Sequence, residues 1–451
     1  MEVLVRRRRV DGHTHAHAQA SKLPSLTSQP GPPIFAIVRQ RFGNFMKIAL
    51  GLEYSLALRG GVSVLVEKLI EGVSSVHEVV LVSPDQIGFQ HPGVHSHVRW
   101  DPALVSRQTS EHLAARLSEL GVSLAHFHFG GNYGWGIRIP GQSPFSFLHK
   151  KGIAAVSTSH MAVSILDGYC AQSKPLWFKL GLLPLGWFGK LVQLRNVRAE
   201  IAVSQGVCKR LQRWYWPMSS RLRSVYHSRL PASPDARATK SREPLVLCVG
   251  HIALRKGQHT LATAFAKIAA AHPAWKLALL GHPGPDDCLK QVQAIIAANN
   301  LQDRILLLGS RDDAMEFMRR SSVFVQPALF EGLPLALQEA MFCGCACVAT
   351  RVIGNDELIT DEKNGLLVPP VDSNALALAL ERLMGDESQR TVFGEAAAES
   401  IRLRGMNAQT MTERHLHLYQ SILQGTGPGQ ESEAIAIGRQ PPVKQAKVFC
   451  S

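Results

Sequence analysis

This sequence predicts an α/β fold with two doubly wound parallel sheets, on three observations. From Met46 onward, short apolar runs alternate with stretches whose apolar residues recur every three to four positions, as strands alternating with helices do. Residues 229–243 interrupt the alternation with a Pro-, Ser-, Ala- and Arg-rich stretch that is typical of a linker. The chain has 451 residues, enough for a domain with its own core on each side of that linker.

The first predicted domain covers residues 46–228. It opens with a strand at 47–51, and after a glycine turn that contains Gly60 and Gly61 it continues with a helix at 62–72. Further strands are predicted at 78–82, 124–129, 153–159 and 199–204. His160 lies at the carboxyl end of one of them, which is the edge where ligands bind in parallel sheets. His126 and His128 lie within a strand and are predicted to pack in the core.

The second predicted domain covers residues 244–408, and a final helical segment covers 409–425. Short apolar runs predict strands at 245–249, 276–280, 305–308, 323–325, 345–349 and 365–368. Helical spacing of apolar residues predicts helices at 260–271, 287–298, 335–342, 374–384 and 412–423. Cys343, Cys345 and Cys347 alternate without nearby histidines, so they are predicted to pack in the core and not to bind zinc.

Both ends of the chain lack an apolar period. Residues 1–45, with an arginine run at 6–9 and a histidine-rich tract, and residues 426–451 are predicted to be disordered tails, and Met46 is an alternative start. The arginine run is not followed by an apolar segment, so no secretory signal is expected. With eight cysteines in so long a chain, a reducing, cytoplasmic setting is predicted.

The formal net charge of +14 calls for an anionic partner. Nucleic acid is not favoured, because the Lys and Arg residues are scattered and no nucleic-acid motif is present. A diphosphate ligand and an anionic membrane surface fit better. Residues 174–193 combine Trp and Phe with flanking lysines, which suits a segment lying at a membrane interface. The alternative for this segment is a buried helix hairpin broken at Pro184.

The most informative stretch is residues 323–350. It predicts a buried strand, a loop with Glu331, Gly332 and Pro334, a helix, and a second strand. The loop lies at the carboxyl end of its strand, and the helix start offers unpaired N–H groups that suit a phosphate or sugar oxygen. Glu331 and Glu339 lie eight positions apart on either side of this helix start.

The stretch "FEGLPLALQEAMFCGCACVAT" resembles the signature of retaining GT-B glycosyltransferases of family 4, close to E-G-x-P-x-x-x-x-E-A-x-x-x-G-x-x-V-x-x-T. "VGHIALRKG" at 249–257 is similar to the family's G-R-x-x-x-x-K-G. Lys256 fills the lysine position, whereas His251 stands at the arginine position and Arg255 adjoins the lysine. The resemblance implies a GT-B fold, in which two Rossmann-like domains face each other across a cleft and the helix at 412–423 crosses back to the first domain.

The resemblance also implies the roles of individual residues. Glu331, His160 and Lys256 would serve catalysis. The donor would bind to a second set of residues, namely Glu339, Arg255, His251, Gly332, Leu333, Pro334, Gly60 and Gly61. Either Arg255 or His251 would take the place of the family's arginine. No metal and no cofactor other than the nucleotide sugar would be needed, because the basic residues would neutralise the leaving diphosphate.

The implied activity is transfer of a sugar, with retention, from a UDP- or GDP-sugar to a carbohydrate or lipid-linked acceptor hydroxyl in cell-surface polysaccharide or glycolipid assembly. Two alternatives stay open from the sequence. One is a non-catalytic nucleotide-sugar binder of the same fold, and the other is a phosphorylase or an enzyme like sucrose synthase. The presence of both Glu331 and Lys256 favours a transferase over a binder.

Overall fold

A computed structural model describes residues 45–58, 60–86, 89–131, 142–162, 176–232 and 242–425. Both predicted tails fall almost entirely outside these ranges, so the prediction of disorder there is not addressed. Within the described residues, no helix is long and apolar enough to cross a membrane.

The first sheet has seven parallel strands among the described residues, in the order β3-β2-β1-β4-β5-β6-β7. Their bounds are β1 Lys47–Leu52, β2 Glu78–Ser83, β3 Ser96–Arg99, β4 Leu124–Phe129, β5 Ala154–Ser159, β6 Ala199–Ala202 and β7 Leu222–Ser224. The helices between them are α1 Gly61–Ser74, α2 Arg107–Glu119, α3 Pro144–Lys150, α4 Leu176–Asn196 and α5 Gln205–Trp214, with 3-10 turns at Pro102–Leu104 and Trp216–Arg221. The order reverses next to β1, which creates a crevice at the carboxyl ends of β1 and β4.

The second sheet has six parallel strands among the described residues, in the order β10-β9-β8-β11-β12-β13. Their bounds are β8 Glu243–Val249, β9 Lys276–Leu280, β10 Ile305–Gly309, β11 Ser321–Gln326, β12 Ala346–Thr350 and β13 Leu366–Val368. The helices are α6 Gln258–Ile268, α7 Cys288–Ala298, α8 Ala314–Arg320, α9 Leu335–Phe342, α10 Asn355–Leu358, α11 Ser373–Gly385, α12 Glu387–Leu403 and α13 Ala408–Gln424, with a 3-10 turn at Leu254–Lys256.

The central strands are buried on both faces, as parallel sheets covered by helices require. Every residue of β4, β11 and β12 is buried. This explains why these strands appear in the sequence as nearly continuous apolar runs. Cys345 and Cys347 are completely buried, in agreement with their predicted place in the core.

The last helix, α13, crosses from the second domain and packs against the first. Thr412 contacts α1 so closely that a β-carbon on Gly72 would lie 2.4 Å from its hydroxyl oxygen. Tyr419 is fully buried, and its hydroxyl lies 2.6 Å from Nδ1 of His126 in β4. The predicted closing helix is therefore present, and it starts four residues earlier than expected.

The alternative of a helix hairpin at 174–193 is wrong. Helix α4 runs without a break from Leu176 to Asn196 and contains Pro184. A proline removes one backbone donor and bends a helix, but packing of the neighbouring turns can hold the helix together. Residues 174 and 175 lie outside the described part of the chain.

Several elements are absent from the set predicted from the sequence, among them the strands β3 and β7 and the helices α2, α3, α8 and α12. Strand β3 is only four residues long and half-buried at the edge of its sheet, so its apolar pattern is weak. Helix α12 carries mostly polar residues and alanine, which blurs its period. The domain boundaries at 228/229, 243/244 and 408/409 stay predictions, although β8 already begins at Glu243.

Candidate functional site

The carboxyl edges of the two sheets face each other, and Gly332 lies against the backbone of His160. A β-carbon at position 332 would lie 1.8 Å from the carbonyl oxygen of His160, so only glycine fits there. A second approach joins the same two domains: a β-carbon on Gly61 of the first domain would lie 4.0 Å from Cδ1 of Leu335 in the second. Residues from both predicted domains therefore line one crevice.

Glu331 lies in this crevice beside two cations of the second domain. Nζ of Lys256 donates to Oε1 of Glu331 over 2.5 Å, and Nη1 of Arg255 lies 3.7 Å from the same oxygen. Nε2 of Gln326, at the end of β11, also donates to Oε1, over 2.9 Å. All three contacts reach Oε1, so Oε2 is the oxygen available to turn towards a ligand hydroxyl.

The ionised form of Glu331 is favoured although the residue is only 9% exposed. Burial on its own raises the pKa of a carboxyl group, because a low dielectric disfavours the charge. Here the charges of Lys256 and Arg255, together with hydrogen bonds from Lys256 and Gln326, overcome that effect and hold the pKa below its ordinary value. The site therefore contains a fixed negative charge inside a basic wall.

The basic wall is the loop that follows β8, and its shape depends on Gly257. This residue has a φ of 74°, and a β-carbon there would lie 2.0 Å from the carbonyl oxygen of Pro327. Nε2 of Gln258 donates to the carbonyl of His251 over 2.9 Å, and the amide of Leu254 donates to Asp286 over 2.9 Å. The amide of Leu329 donates to the carbonyl of Arg255 over 2.8 Å, which ties the wall to the Glu331 loop.

His251 is exposed next to these cations. Burial of its ring and the nearby charges of Lys256, His282 and Arg255 lower its pKa. A neutral His251 supplies a hydrogen-bond donor but no charge. Arg255 and Lys256 are thus the charged groups of this loop, and Arg255 also lies over the ring of Phe330, 5.4 Å from its centroid.

Helix α9 begins directly after Glu331, Gly332 and buried Leu333. Pro334 is its N-cap residue, and no side chain caps the helix. The first N–H groups of such a helix have no intrahelical partner, and its dipole favours an anion at this end. A phosphate or sugar oxygen that lies between α9 and Lys256 would contact the free N–H groups of the helix and the ammonium group of the lysine.

Glu339 lies on the buried face of α9, one turn before its end. Its Oε1 accepts a hydrogen bond from Nε of Arg229, which comes from the segment between the two domains. Its Oε2 is buried and has no hydrogen-bond partner among the described residues. Such an oxygen can accept a hydrogen bond from a group that is not part of the described residues.

His160 belongs to a cluster of five histidines in the described part of the chain. Its Nε2 lies 3.3 Å from Nδ1 of His128. The ring of His227 is 5.2 Å from that of His160, and the ring of His415 is 5.1 Å from that of His227. Burial, followed by the effect of His415, lowers the pKa of His160 to about 3, so its ring is neutral and can only donate or accept hydrogen bonds.

Ser63 holds the glycine turn of the first domain in position through a hydrogen bond. Gly60 is the N-cap residue of α1, and its amide donates to Oγ of Ser63 over 2.9 Å. The structure therefore brings Gly60 and Gly61 to the cleft with His160, opposite Glu331, Gly332 and the basic loop.

Two residues near the site, Arg229 and Gln326, have no signal in the sequence. Arg229 reaches Glu339 from 110 residues away, and Gln326 is simply the last residue of an apolar strand. Glu357 accepts from the amides of Gln205 and Gly206 over 2.9 and 2.6 Å, so it joins the second domain to the start of α5 in the first. Glu357 does have a signal in the sequence, because VIGNDELI at 352–359 is similar to the pattern G-G-x-x-E-x-I of the family named above.

Comparison with known proteins agrees with this geometry. Residues 231–400 match the family model "Glycosyl transferases group 1". This part of the chain is a glycosyl transferases group 1 domain. The matched segment contains the basic loop and Glu331, which contact each other, and also Glu339 and Glu357.

Individual relatives cover varying parts of the chain. It is 28% identical over 235 residues to the lipopolysaccharide core biosynthesis glycosyltransferase LpsE of Rhizobium meliloti, a match that covers 51% of this chain and 67% of that protein. For two other curated relatives, the matched segments span 14% and 48% of the relative's length.

Solved structures show the fold. Sucrose-phosphate synthase from Thermosynechococcus elongatus superimposes with a TM-score of 0.67 at 22% identity, covering 84% of this chain and 100% of that one. HepE of Anabaena in complex with UDP-glucose gives a TM-score of 0.64 at 17% identity, covering 83% and 100%. The two facing sheets are thus the GT-B arrangement.

Proposed function

We propose that this protein transfers a sugar from a nucleotide diphosphate sugar to an acceptor hydroxyl, with retention of configuration and without a metal ion. The observation that carries the proposal is the contact of Glu331 with Lys256 and Arg255 at the start of α9, next to Gly332, which lies against His160 of the first domain. The two cations and the helix start can bind the diphosphate of such a donor, and the carboxylate can bind hydroxyl groups of its sugar.

Lys256 and Arg255 would bind the diphosphate of the donor. As the bond between the sugar C1 and the β-phosphate oxygen breaks, negative charge grows on that oxygen, and Lys256 and Arg255 are placed to stabilise it. Arg255 can form forked hydrogen bonds, whereas Lys256 acts as a point charge. These two residues and the start of α9 supply the positive charge that the departing phosphate needs, which is why we propose a metal-independent reaction.

Glu331 and Glu339 would bind hydroxyl groups of the donor. Oε2 of Glu331 would bind a hydroxyl of the transferred sugar, and Oε2 of Glu339 would accept from a ribose hydroxyl of the nucleotide. His160, neutral and partly exposed at the cleft, would donate a hydrogen bond to the sugar near its reacting carbon. The acceptor hydroxyl would add to C1 on the face that the diphosphate leaves, and its proton would pass to the departing phosphate oxygen.

The acceptor would approach from the first domain, along the glycine turn at Gly60 and Gly61. We propose a carbohydrate or lipid-linked carbohydrate as acceptor, in assembly of a cell-surface polysaccharide or glycolipid. The name of LpsE, a lipopolysaccharide core glycosyltransferase, supports this class.

The test is release of free nucleotide from a panel of UDP-, GDP- and ADP-sugars, with and without simple sugar acceptors and with excess EDTA. We expect one donor to be turned over in EDTA, and proton NMR of the product to show the anomeric configuration of the donor. Tight donor binding without turnover under any acceptor would instead support a non-catalytic binder, and phosphate-dependent turnover would support a phosphorylase.

Two variants test the assignment of roles. Glu331→Gln and Lys256→Gln should each lower kcat by roughly a hundredfold or more, because each removes a charge aimed at the transition state. Lys290→Gln removes an exposed lysine of the same domain and should leave kcat unchanged. If both site variants keep the full transfer rate, the proposed roles are wrong.

A further inference from the structure

Helix α4 exposes large apolar side chains that the proposed reaction does not use. Trp177 is 73% exposed and Phe188 54%, and Leu180, Leu185 and Trp187 are between 39% and 48% exposed. Large exposed apolar patches of this kind usually mark a surface that meets a partner or a membrane.

These side chains lie on one side of the helix. With about 100° of rotation per residue, positions 177, 180, 184, 185, 187 and 188 fall within a sector of roughly 160°. The opposite side is buried against the first domain through Gly186, Gly189, Lys190 and Gln193. The exposed stripe is therefore the outward face of a helix already packed on its other side.

A second element extends the stripe. Nε1 of Trp187 donates over 2.8 Å to the carbonyl of Trp214, the last residue of α5. Trp216 follows in the adjoining 3-10 turn and is 72% exposed. We call the exposed face of α4 together with Trp216 the aromatic surface.

The aromatic surface lies in a basic part of the chain. From residue 176 to residue 223 the sequence contains nine lysines and arginines and one acidic residue, Glu200. Glu200 is fully buried and bonded to the buried Nζ of Lys190 over 2.6 Å, so it does not offset the exposed charge. Arg195, Arg198, Lys209 and Arg213 are all exposed.

We infer that the aromatic surface docks on an anionic phospholipid bilayer. Tryptophan and phenylalanine suit the headgroup region because they combine a large apolar area with, in Trp, a polar N–H. Exposed lysines and arginines around them are attracted to anionic lipid and less so to a neutral surface. Aromatic area and positive charge thus occur together, without an exposed acid in the same stretch.

The experiment is co-sedimentation of the full chain with two kinds of vesicle, one of phosphatidylcholine alone and one of phosphatidylcholine and phosphatidylglycerol in equal parts. We expect binding to the anionic vesicles to exceed binding to the neutral ones by at least about tenfold, and to weaken as salt is added. Equal binding to both kinds, or no binding to the anionic kind, would overturn the inference.

Two sets of variants separate the aromatic from the ionic contribution. Trp177→Ser with Phe188→Ser and Trp216→Ser should reduce the partition coefficient on anionic vesicles at least about tenfold, and Lys209→Gln with Arg213→Gln should reduce it and weaken its salt dependence. The control, Leu378→Ser with Val392→Ser, removes two exposed apolar residues of the second domain and should change nothing.

Size-exclusion chromatography with light scattering tests whether a second copy of the chain, and not a membrane, covers the aromatic surface. A dimer that the triple aromatic variant converts to a folded monomer, with no vesicle binding by either protein, would show that the surface joins two copies of the chain and would overturn the inference. The proposal is independent of the proposed reaction, because nucleotide release from the panel can fail while vesicle binding holds.

Discussion

Arg229 donates from Nε to Oε1 of Glu339 and thereby fixes the direction of the other oxygen, Oε2, which is buried without a partner. The pair links the segment between the domains to the helix that begins at the proposed sugar site. Burial lowers the pKa of the guanidinium, but the hydrogen bond and charge of Glu339 outweigh it, so the pKa is raised. Arg229 is therefore a positioning residue for the proposed ribose contact.

Arg229→Gln should raise the KM for the donor about tenfold with little change in kcat, because it loosens a binding carboxylate that does not touch the reacting carbon. Steady-state kinetics over donor concentration checks this, and Arg229→Lys should recover part of the loss. Arg311→Gln, which breaks an exposed ion pair with Asp313, is the control. An equal fall in kcat and kcat/KM would show that Glu339 acts on the transition state.

Glu357 should stabilise the closed arrangement of the two domains. Its carboxylate accepts from the amides of Gln205 and Gly206 at the positive end of α5, and also from the hydroxyl of Tyr226 over 3.1 Å. Charge at a helix start in such a setting is worth about 1–2 kcal/mol. Glu357→Gln should enlarge the radius of gyration measured by X-ray scattering and lower kcat/KM, whereas Asp356→Asn, one residue earlier and exposed, should do neither.

Gly332→Ala should separate the two sides of the cleft without unfolding either domain. The added methyl group would overlap the carbonyl oxygen of His160, which belongs to the backbone and cannot rotate away. A displacement of about 1 Å at reacting groups can cost roughly a hundredfold in rate, so we expect a loss of that order in kcat. Circular dichroism should stay unchanged.

The matched control for this glycine is Gly385→Ala. Nothing lies within 4 Å of a β-carbon at that position, so activity and melting temperature should stay close to those of the unaltered protein. Full activity of Gly332→Ala would contradict the closed geometry described above.

The histidine cluster should make stability fall in acid. Burial lowers the pKa of His160 to about 3 and of His415 to about 4, the latter despite a hydrogen bond to Met411 and with a further effect of Arg414. The unfolded chain protonates these rings below about pH 6.5 while the folded chain does not, so stability is complete above pH 6.5 and is lost as the pH falls towards 4. Each pH unit in that window costs about 1.4 kcal/mol per neutral ring.

Urea unfolding at several pH values between 7 and 4 measures this effect. His415→Gln should reduce the slope of stability against pH by about one proton, because it removes one of the rings that bind a proton only in the unfolded chain. His149→Gln, on the exposed end of α3, is the control. A wild-type slope that is flat below pH 6.5 would mean that the cluster accepts protons when folded.

The sequence predicted what depends on local pattern. Strand β11, the loop with Glu331 and helix α9 follow from an apolar run, a Gly-Leu-Pro turn and a helical period, and α9 has the predicted bounds. The crossover helix was likewise expected, because its period is local even though its contacts are distant. Lys256 and Glu331 were assigned to one site from two separate motifs, and the structure places their side chains in contact.

Contacts between distant residues with no motif could not be predicted. Arg229 is the first residue of the predicted linker, and nothing near it in the sequence points to Glu339. His227 and His415 belong to no motif in the sequence, yet their rings lie next to the histidines of β4. Trp216 extends the aromatic surface only because the tertiary packing of α4 and α5 brings two tryptophans together.

The chain passes between its two domains twice, and both passages run side by side. The amide of Ala408 donates to the carbonyl of Leu230 over 2.9 Å, and Oγ of Ser228 donates to the carbonyl of Met406 over 3.2 Å. We expect these two adjacent, hydrogen-bonded passages to act as a hinge between the lobes. Opening for substrate exchange would then be mainly a rotation about that line, with little sliding of one lobe past the other.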